Sequence, residues 1–569
     1  MLKDSICNKV QVLIVGAGPA GLACAIQLKA QNPHIEVCVI DKEAELGNHN
    51  LSGAVLEPEP LHSLLNSAVP GWQESEAARD VLAEKVEKDN VMFLLGKKLS
   101  FNISFTIKLA RILGLGFGRM IHKGDYIVSV SKLTAWLGQI AKQLGVEVLT
   151  GFAAKDIILD DSTGSATAVR LVDQGLDREG SKQPNFVEGE IISADFVVLA
   201  EGCDGLLTEK FIEKTNLQRQ SSQLYSVGVK ELIQVSSEQY NKFTSRRVVH
   251  AMGYPIWTPL IGPDMFGGGI IYPGIQDHIS VGMIVGADWK YCDFNPQLAL
   301  AAFKEHKFVK QFVEGGTVVE AGAKMIPEGG YYAIPRDPHT GSIGKANVMI
   351  LGDSAGFVNM LKIKGMHNAI DSGIKAARAI AENLSSPLLT ALRYTDLVDH
   401  SNIAREMKSA RNFRQTVAKL GPTFGFAFSV FGGLLPKFKV AKDYKAMTTA
   451  RYSRPSILQR LLKKGTSGDG GQFDKDTFTA MASTHHREEQ PSHLTILDPD
   501  ICRTECTPAF NSPCITFCPA GVYETVNDQL KPANPSNCLH CKSCQRKCPF
   551  DNIRWTVPEG GGGPRYRRM

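Results

Sequence analysis

No uninterrupted apolar run of 18 or more residues occurs in the 569-residue chain, so a spanning helix is not expected. Charge of one sign is also scarce. The formal net charge of +5 is too small to indicate nucleic acid, and no nucleic-acid-reading motif accompanies it. That balance remains compatible with an acidic membrane surface or an acidic protein partner. The N-terminus lacks a charged n-region, an apolar h-region and an arginine-rich presequence, and a strand pattern begins by Val10. An intracellular chain is therefore expected. No internal repeat stands out except a duplicated cysteine motif. Disulfide frameworks belong to short secreted chains, so the 13 cysteines point elsewhere.

What is present is ordinary in bulk. Hydrophobic residues make up 43% and charged residues 21%, which permits a large core. The length suggests two to four domains. Residues 1 to about 400 alternate Val/Ile runs, glycine turns and helical patterns, the signature of α/β units around a sheet. Residues 464–490 are polar and read as an exposed connection. From about 495 onward, cysteine spacing dominates.

The segment VQVLIVGAGPAGLACAIQL places Gly16, Gly18 and Gly21 between a strand and a helix. The first glycine permits a tight turn, the second lets the backbone approach a pyrophosphate, and the third allows close helix–strand packing. The next strand pattern, VCVID, ends at Asp41, a candidate acceptor for ribose hydroxyls. DFVVLAEGCD runs an apolar strand into the turn at Gly202. VMILGDSAGF sets Gly352 and Asp353 directly after another strand, where a carboxylate can bind a ribityl hydroxyl. An NAD dehydrogenase needs only the first of these segments. All three in this order resemble the glutathione-reductase-like FAD fold of hydroxylases and geranylgeranyl reductases.

Eight cysteines lie between Cys502 and Cys548. Cys538, Cys541 and Cys544 are spaced C-x2-C-x2-C, which lets one loop wrap three corners of a [4Fe–4S] cube, with the fourth ligand coming from elsewhere. A structural zinc site is the alternative, but so tight a loop suits a cubane better. The remaining cysteines read as structural. Cys24 and Cys38 fall in the first FAD unit, and no histidine pair can be assigned to activate Cys203. His367 reads as a packing residue.

Further matches are LSGAVLEP (51–58), YIVSVSKLTAWLGQIAKQLGVEV (126–148), DSAGFVNMLKIKGMHNAIDSG (353–373, containing Gly365), CPAGVYE (518–524), CLHCKSC and VPEGGGGP. Together they resemble the electron transfer flavoprotein–ubiquinone oxidoreductase family, bacterial type, over nearly the whole chain. The resemblance implies an α/β (α+β) chain. Its glutathione-reductase-like FAD-binding domain would occupy 1–210 and 335–400, and an inserted quinone-binding β-sheet domain 211–334. A helical, membrane-contacting segment and connection would follow at 401–490, then a ferredoxin-like 4Fe-4S domain at 491–569. It implies FAD and a cluster as cofactors, electron transfer flavoprotein and a membrane surface as partners, and ubiquinone as substrate. Cofactor contacts would include Gly16, Gly18, Gly21, Asp41, Gly202, Gly352, Asp353 and Gly365, with no obligatory acid–base residue. The quinone head group would lie against Gly267 and Gly268 of MFGGGIIYP, although on physics alone a strand bend or bulge is the favoured reading of those glycines. The remote cluster ligand would be Cys518, completing Cys538, Cys541 and Cys544.

Cys548 departs from the single-cluster pattern and creates C-x2-C-x2-C-x3-C-P, in which the fourth cysteine serves a different cluster in two-cluster ferredoxins. Cys502, Cys506, Cys514 and Cys548 are thus candidates for a second cluster, with zinc or unliganded thiols as alternatives. LGPTFGFAFSVFGGLLPKF, from Leu420, carries Phe424, Phe426, Phe428, Phe431, Leu434 and Leu435. It is flanked by Arg411, Arg414, Lys419, Lys437 and Lys439 and reads as either a buried core segment or a shallow membrane insertion, and the resemblance implies the insertion. The family's other membrane element matches AVLEPEPLHSLLNSAVPGW, although its Leu56, Leu61, Leu64 and Leu65 read equally well as core. The expected location is monotopic, on the cytoplasmic face of a bacterial inner membrane or the matrix side of a mitochondrial one. Two other functions share the fold: a ferredoxin-fused flavin-dependent reductase of prenyl-lipid double bonds, and a relay subunit of a bifurcating complex.

Overall fold

The computed structural model describes residues 9–51, 53, 55–112, 122–244, 246–274, 276–429, 447–452 and 474–569. The run KVQVLIV forms the strand Lys9–Val15, buried along nearly its whole length, as expected of a central parallel strand. It lies between Ile191–Leu199 and Val37–Asp41, and all three run parallel. Val348–Ile350 and Glu147–Thr150 extend this sheet on either side, also in parallel. The helix Pro19–Gln31 packs against Met366–Glu382. A Cβ at Gly373 would stand 2.3 Å from the Ala20 carbonyl oxygen, so glycine lets the two helices touch backbone to backbone.

A second, seven-stranded sheet has the order Thr317–Pro327, Tyr225–Gln234, His278–Gly286, Gly267–Pro273, Arg247–Gly253, Lys88–Leu95, Leu99–Asn102. The last two strands come from the stretch that the sequence pattern groups with the first sheet. Lys88–Leu95 pairs in parallel with Arg247–Gly253, a contact between segments far apart in the chain. Nothing in local periodicity announces such a pairing. One face of this sheet is covered by Pro296–Lys304, whose Phe303 ring fills the space above Gly269. The opposite face looks onto the first sheet.

The C-terminal cysteine-rich portion is built from two short antiparallel pairs, Leu494–Ile496 with Ile553–Trp555 and Glu524–Val526 with Gln529–Lys531. Its core is continuous with that of the second sheet, and Phe517 packs edge-on against Trp289. The last residues thread back between the sheets. The Tyr566 hydroxyl accepts the Ala323 N–H at 3.3 Å, and the Met569 carbonyl accepts from Ser129 and Ser131.

Three expectations are corrected. Leu56, Leu61, Leu64 and Leu65 are fully buried against the first sheet's core, so this leucine set faces protein and not lipid. Arg414 is not a headgroup cation. It is 1% exposed, donates to both Asp288 oxygens at 2.9 and 2.6 Å, and reaches Glu328 at 2.8 Å. Residues 474–490 are not simply an exposed connection, because Phe478 and His486 are buried. In each case long-range partners override a locally plausible pattern.

Burial raises both carboxyl groups beside Arg414. The guanidinium outweighs this for Asp288, which ends below its usual range, but not for Glu328, which stays above it. Removing one partner of a buried pair leaves an uncompensated charge. Arg414→Met is expected to lower unfolding free energy by about 3–5 kcal/mol. Arg414→Lys is expected to recover only part, since an ammonium cannot bridge both carboxylates. Denaturant titration of the two variants checks this.

Candidate flavin and iron–sulfur site

A cavity of about 280 Å³ opens where the parallel strands of the first sheet end. Gly16 has φ +109°, and a Cβ there would lie 2.3 Å from the Ala200 carbonyl oxygen. A Cβ at Gly21 would lie 2.0 Å from the Gly16 oxygen, so these two glycines form the strand–turn–helix packing itself. Gly18 differs: nothing stands within 4 Å of its Cβ position, and it lines the cavity at the N-terminus of Pro19–Gln31. Open space in front of unsatisfied helix amides fits a phosphate. Asp41, at the end of its strand, accepts the Ala17 N–H at 2.7 Å and the Glu43 N–H at 2.9 Å, and also lines the cavity.

Gly202, Asp353 and Gly365 complete this wall. Gly352 sits behind it, at φ +54°. Burial pushes the Asp353 carboxyl up, with Lys324 opposing, and the Lys324 ammonium is itself lowered by burial. Lys324 donates to the His49 carbonyl at 2.6 Å. The facing wall belongs to the second sheet. Gly228, Ile270 and Ile284 line it, continued by Val358, Met360 and Ile363. Gly268 is the cross-strand partner of Ile284 and shares its face. Gly267 faces the other way at φ +136°, and its Cβ would collide with the Ile284 oxygen at 1.9 Å. Neither glycine is on the cavity surface itself.

The third wall is the cysteine loop, with Leu539, His540, Cys541 and Lys542 all at the surface of the cavity. Cys518, Cys538, Cys541 and Cys544 are buried, and burial raises each thiol; Cys518 further raises the other three. Backbone amides of Ala520, Gly521 and Val522 point at the Cys518 sulfur, and that of His540 at Cys538. Such donors favour thiolates bound to a metal centre. Among the described residues, no three thiols lie mutually within 4.8 Å. A tetrahedral zinc with Zn–S near 2.3 Å would draw them to about 3.8 Å. The C-x2-C-x2-C loop suits the separate corners of a cube.

Several participants carried no local signal. Lys42 hydrogen-bonds His540 Nδ1 at 3.1 Å, and burial together with nearby Lys542 lowers its ammonium to about 7. His540 Nε2 meets His486 Nε2 at 2.8 Å. Lys542 donates to the carbonyls of Cys203 and Asp204. The Cys203 thiol is pushed up to about 12 by burial and Asp353, so it is inert. His540 could have been suspected from its place inside CLHC. His486 lay in a stretch whose polarity suggested solvent.

His367, read as a packing residue, contacts Glu406 at 3.0 Å and Glu57 at 4.0 Å. Lys362 and Lys364 each bind Glu57, and Lys364 also binds Asp125.

Fold and site together define an FAD-dependent oxidoreductase with an attached iron–sulfur domain. Residues 11–269 match the family model described as FAD dependent oxidoreductase. Residues 225–326 match that for ETF-QO, ubiquinone-binding, and 471–567 that for electron transfer flavoprotein-ubiquinone oxidoreductase, 4Fe-4S. The mitochondrial electron transfer flavoprotein-ubiquinone oxidoreductase of Arabidopsis thaliana is 35% identical over 100% of this chain and 85% of its own length. The Pseudomonas aeruginosa electron transfer flavoprotein-ubiquinone oxidoreductase is 33% identical, covering 98% of each chain. Among solved structures, a geranylgeranyl bacteriochlorophyll reductase-like protein from Thermoplasma acidophilum shares the fold, with a TM-score of 0.53 and 15% identity. That match covers 80% of this chain and 99% of the other. The chain belongs to the electron transfer flavoprotein–ubiquinone oxidoreductase family.

Burial alone would raise the Glu406 carboxyl, but His367 and Lys362 hold it down at about 2. A depressed carboxyl contributes stability above its unfolded value near 4.3, and that contribution fades as pH falls toward 2. Glu406→Gln is expected to destabilise by about 1–2 kcal/mol at pH 7, after discounting for partial solvent exposure. The gap between variant and parent narrows below about pH 4. Melting curves at pH 7, 4 and 3 check the trend.

Proposed function

We propose that this protein transfers electrons from reduced electron transfer flavoprotein to ubiquinone. The observation that carries the reading is the sharing of one cavity by three walls. These are the glycine turn with Asp41 and Asp353, the glycine- and isoleucine-lined sheet face, and the loop holding Cys541. Flavin, quinone and cluster sites are thereby neighbours.

The residues divide the work. The open amides beside Gly18 hold the FAD pyrophosphate, aided by the packing of Gly16 and Gly21. Asp41 binds a ribose hydroxyl and Asp353 a ribityl hydroxyl. Gly202, Gly352 and Gly365 leave room for the cofactor backbone to backbone. Cys518, Cys538, Cys541 and Cys544 hold the [4Fe–4S] cluster. Bound FAD supplies the exchange between one-electron and two-electron chemistry that quinone reduction requires. The quinone head group approaches the strand at Gly267 and Gly268, beside Ile270 and Ile284.

Ubiquinone is confined to lipid, so the protein must meet the bilayer. Among the described residues, no helix is long and apolar enough to cross a membrane. Exposed apolar side chains are nevertheless carried by three separate segments, which together would form the contact surface. Phe105 (77% exposed) and Ile112 (81%) lie on Ser104–Ile112, Leu260 (74%) on a loop, and Phe424 and Phe428 on Phe413–Ser429. Trp257 joins them, touching Phe93 and Phe426 and donating to Thr423 Oγ1 at 3.0 Å. Gly421 (φ +72°) and Pro422 break the helix, and Asp264 takes the Thr423 N–H and hydroxyl where it restarts. Exposed Lys98 and Lys108 rim the patch. Phe431, Leu434, Leu435, Lys437 and Lys439 lie outside the described residues. This surface is monotopic in character. It docks the protein on the inner membrane from the cytoplasmic side in a bacterium, or the matrix side in a mitochondrion.

Anaerobic mixing of the fully loaded protein with reduced electron transfer flavoprotein and a short-chain ubiquinone is expected to yield quinol at one per two electrons delivered. Absence of quinol, or reduction of a prenyl double bond instead, overturns the reading. For the membrane face, the protein is expected to float with anionic liposomes. The triple variant Phe105→Ser, Phe424→Ser, Phe428→Ser is expected to bind at least tenfold more weakly, while still reducing a water-soluble quinone analogue.

A further inference from the structure

The structure assigns Cys502, Cys506, Cys514 and Cys548 as the ligands of a second [4Fe–4S] cluster, set on the solvent side of the first. The assignment goes beyond the proposed function and rests on it only in placing Cys518 with the inner set.

The cysteine portion is a pseudo-repeat. Pro513–Phe517 and Ser543–Lys547 each follow a left-handed residue, Ser512 (φ 46°) or Lys542 (φ 59°). Each carries a cysteine at its second position and ends on a cysteine followed by proline, Cys518 or Cys548, with nearly the same backbone angles. Each closing cysteine donates its backbone N–H to the carbonyl of the cysteine four residues earlier. If the closing cysteine of the first half leaves to complete the set Cys538, Cys541 and Cys544, the repeat sends Cys548 the opposite way. Bacterial two-cluster ferredoxins exchange ligands in this manner.

Proximity agrees. Cys548 lies within electrostatic reach of Cys502, Cys506 and Cys514. Asn552, buried, bridges the group: its backbone N–H meets Cys548 Sγ at 3.2 Å and its side-chain nitrogen meets Cys502 Sγ at 3.2 Å. These are N–H donors of the kind that surround cluster sulfurs.

The irregular sequence gaps also resolve. Cys502–Cys506 winds as a π-helix, a rare form found mostly at functional sites. Asn511 and Ser512, both left-handed, then turn the chain back so that Cys514 returns to the group. Arg503, Thr504 and Glu505 over it are exposed, and none of its cysteines touches the cavity. This outer centre is placed on the entry side. A cluster held by these four cysteines would take one electron at a time from the reduced donor flavoprotein and pass it to the inner centre, with no bond made and no proton taken up.

The test uses the full chain, prepared and reconstituted anaerobically with iron and sulfide. About eight irons and eight sulfides per FAD are expected, with about two electron spins after full reduction and lines broadened by mutual coupling. Cys506→Ser is expected to fall to about four irons per FAD, keep its flavin spectrum and show one uncoupled centre. About four irons per FAD in the native chain overturns the proposal, as does zinc at one per FAD beside them. So does retention of all the iron in both Cys506→Ser and Cys514→Ser. The native counts decide even if a variant fails to fold. Four irons with intact quinone reduction defeats this proposal alone, and eight irons without quinone reduction defeats only the proposed function.

Discussion

The grip on Asp204 holds the redox portions of this molecule in register. Its side chain is fully buried and its backbone left-handed, at φ 56°. Arg546 engages the carboxylate with two nitrogens, and Lys542 donates to the Asp204 carbonyl. Both cations come from the cysteine loop, and Asp204 follows the strand that ends in the flavin wall. Buried charges are expensive unless paired, so the two portions are locked in the one arrangement that pairs them. The same loop then brings Cys541 to the cavity.

The second sheet answers a different demand. It must present a smooth face to the cavity and a rough one to its covering helices. Glycines at 228, 268, 282 and 322 keep the inner face thin, and Tyr566 of the returning tail packs over Gly322. On the outer face, Phe303 occupies the hollow over Gly269. The backbone crowding at Gly267 and Gly268 explains why glycine stands there whatever approaches from the cavity. The quinone assignment therefore rests on their neighbours Ile270 and Ile284.

The proposed membrane-contacting patch needs no spanning segment. Its side chains come from a short helix, a loop and a kinked helix, none of them long enough to be noticed alone. Trp257 lies at their junction, half in the core through Phe93 and half in the patch through Phe426.

The glycine turn, Asp41, Asp353 and the cysteine spacing were legible in the sequence because each is a short-range pattern dictated by local geometry. A tight turn needs Gly16 wherever it occurs, and three cysteines in one loop can reach three corners of one cube. Other features were decided only by tertiary structure. Lys88–Leu95 joined a sheet formed mostly by residues more than a hundred positions later. Arg414 found Asp288 and Glu328, Leu61 and Leu64 turned inward, and His486 met His540. Each depends on partners far along the chain, and neither periodicity nor composition encodes which distant surface a residue will meet.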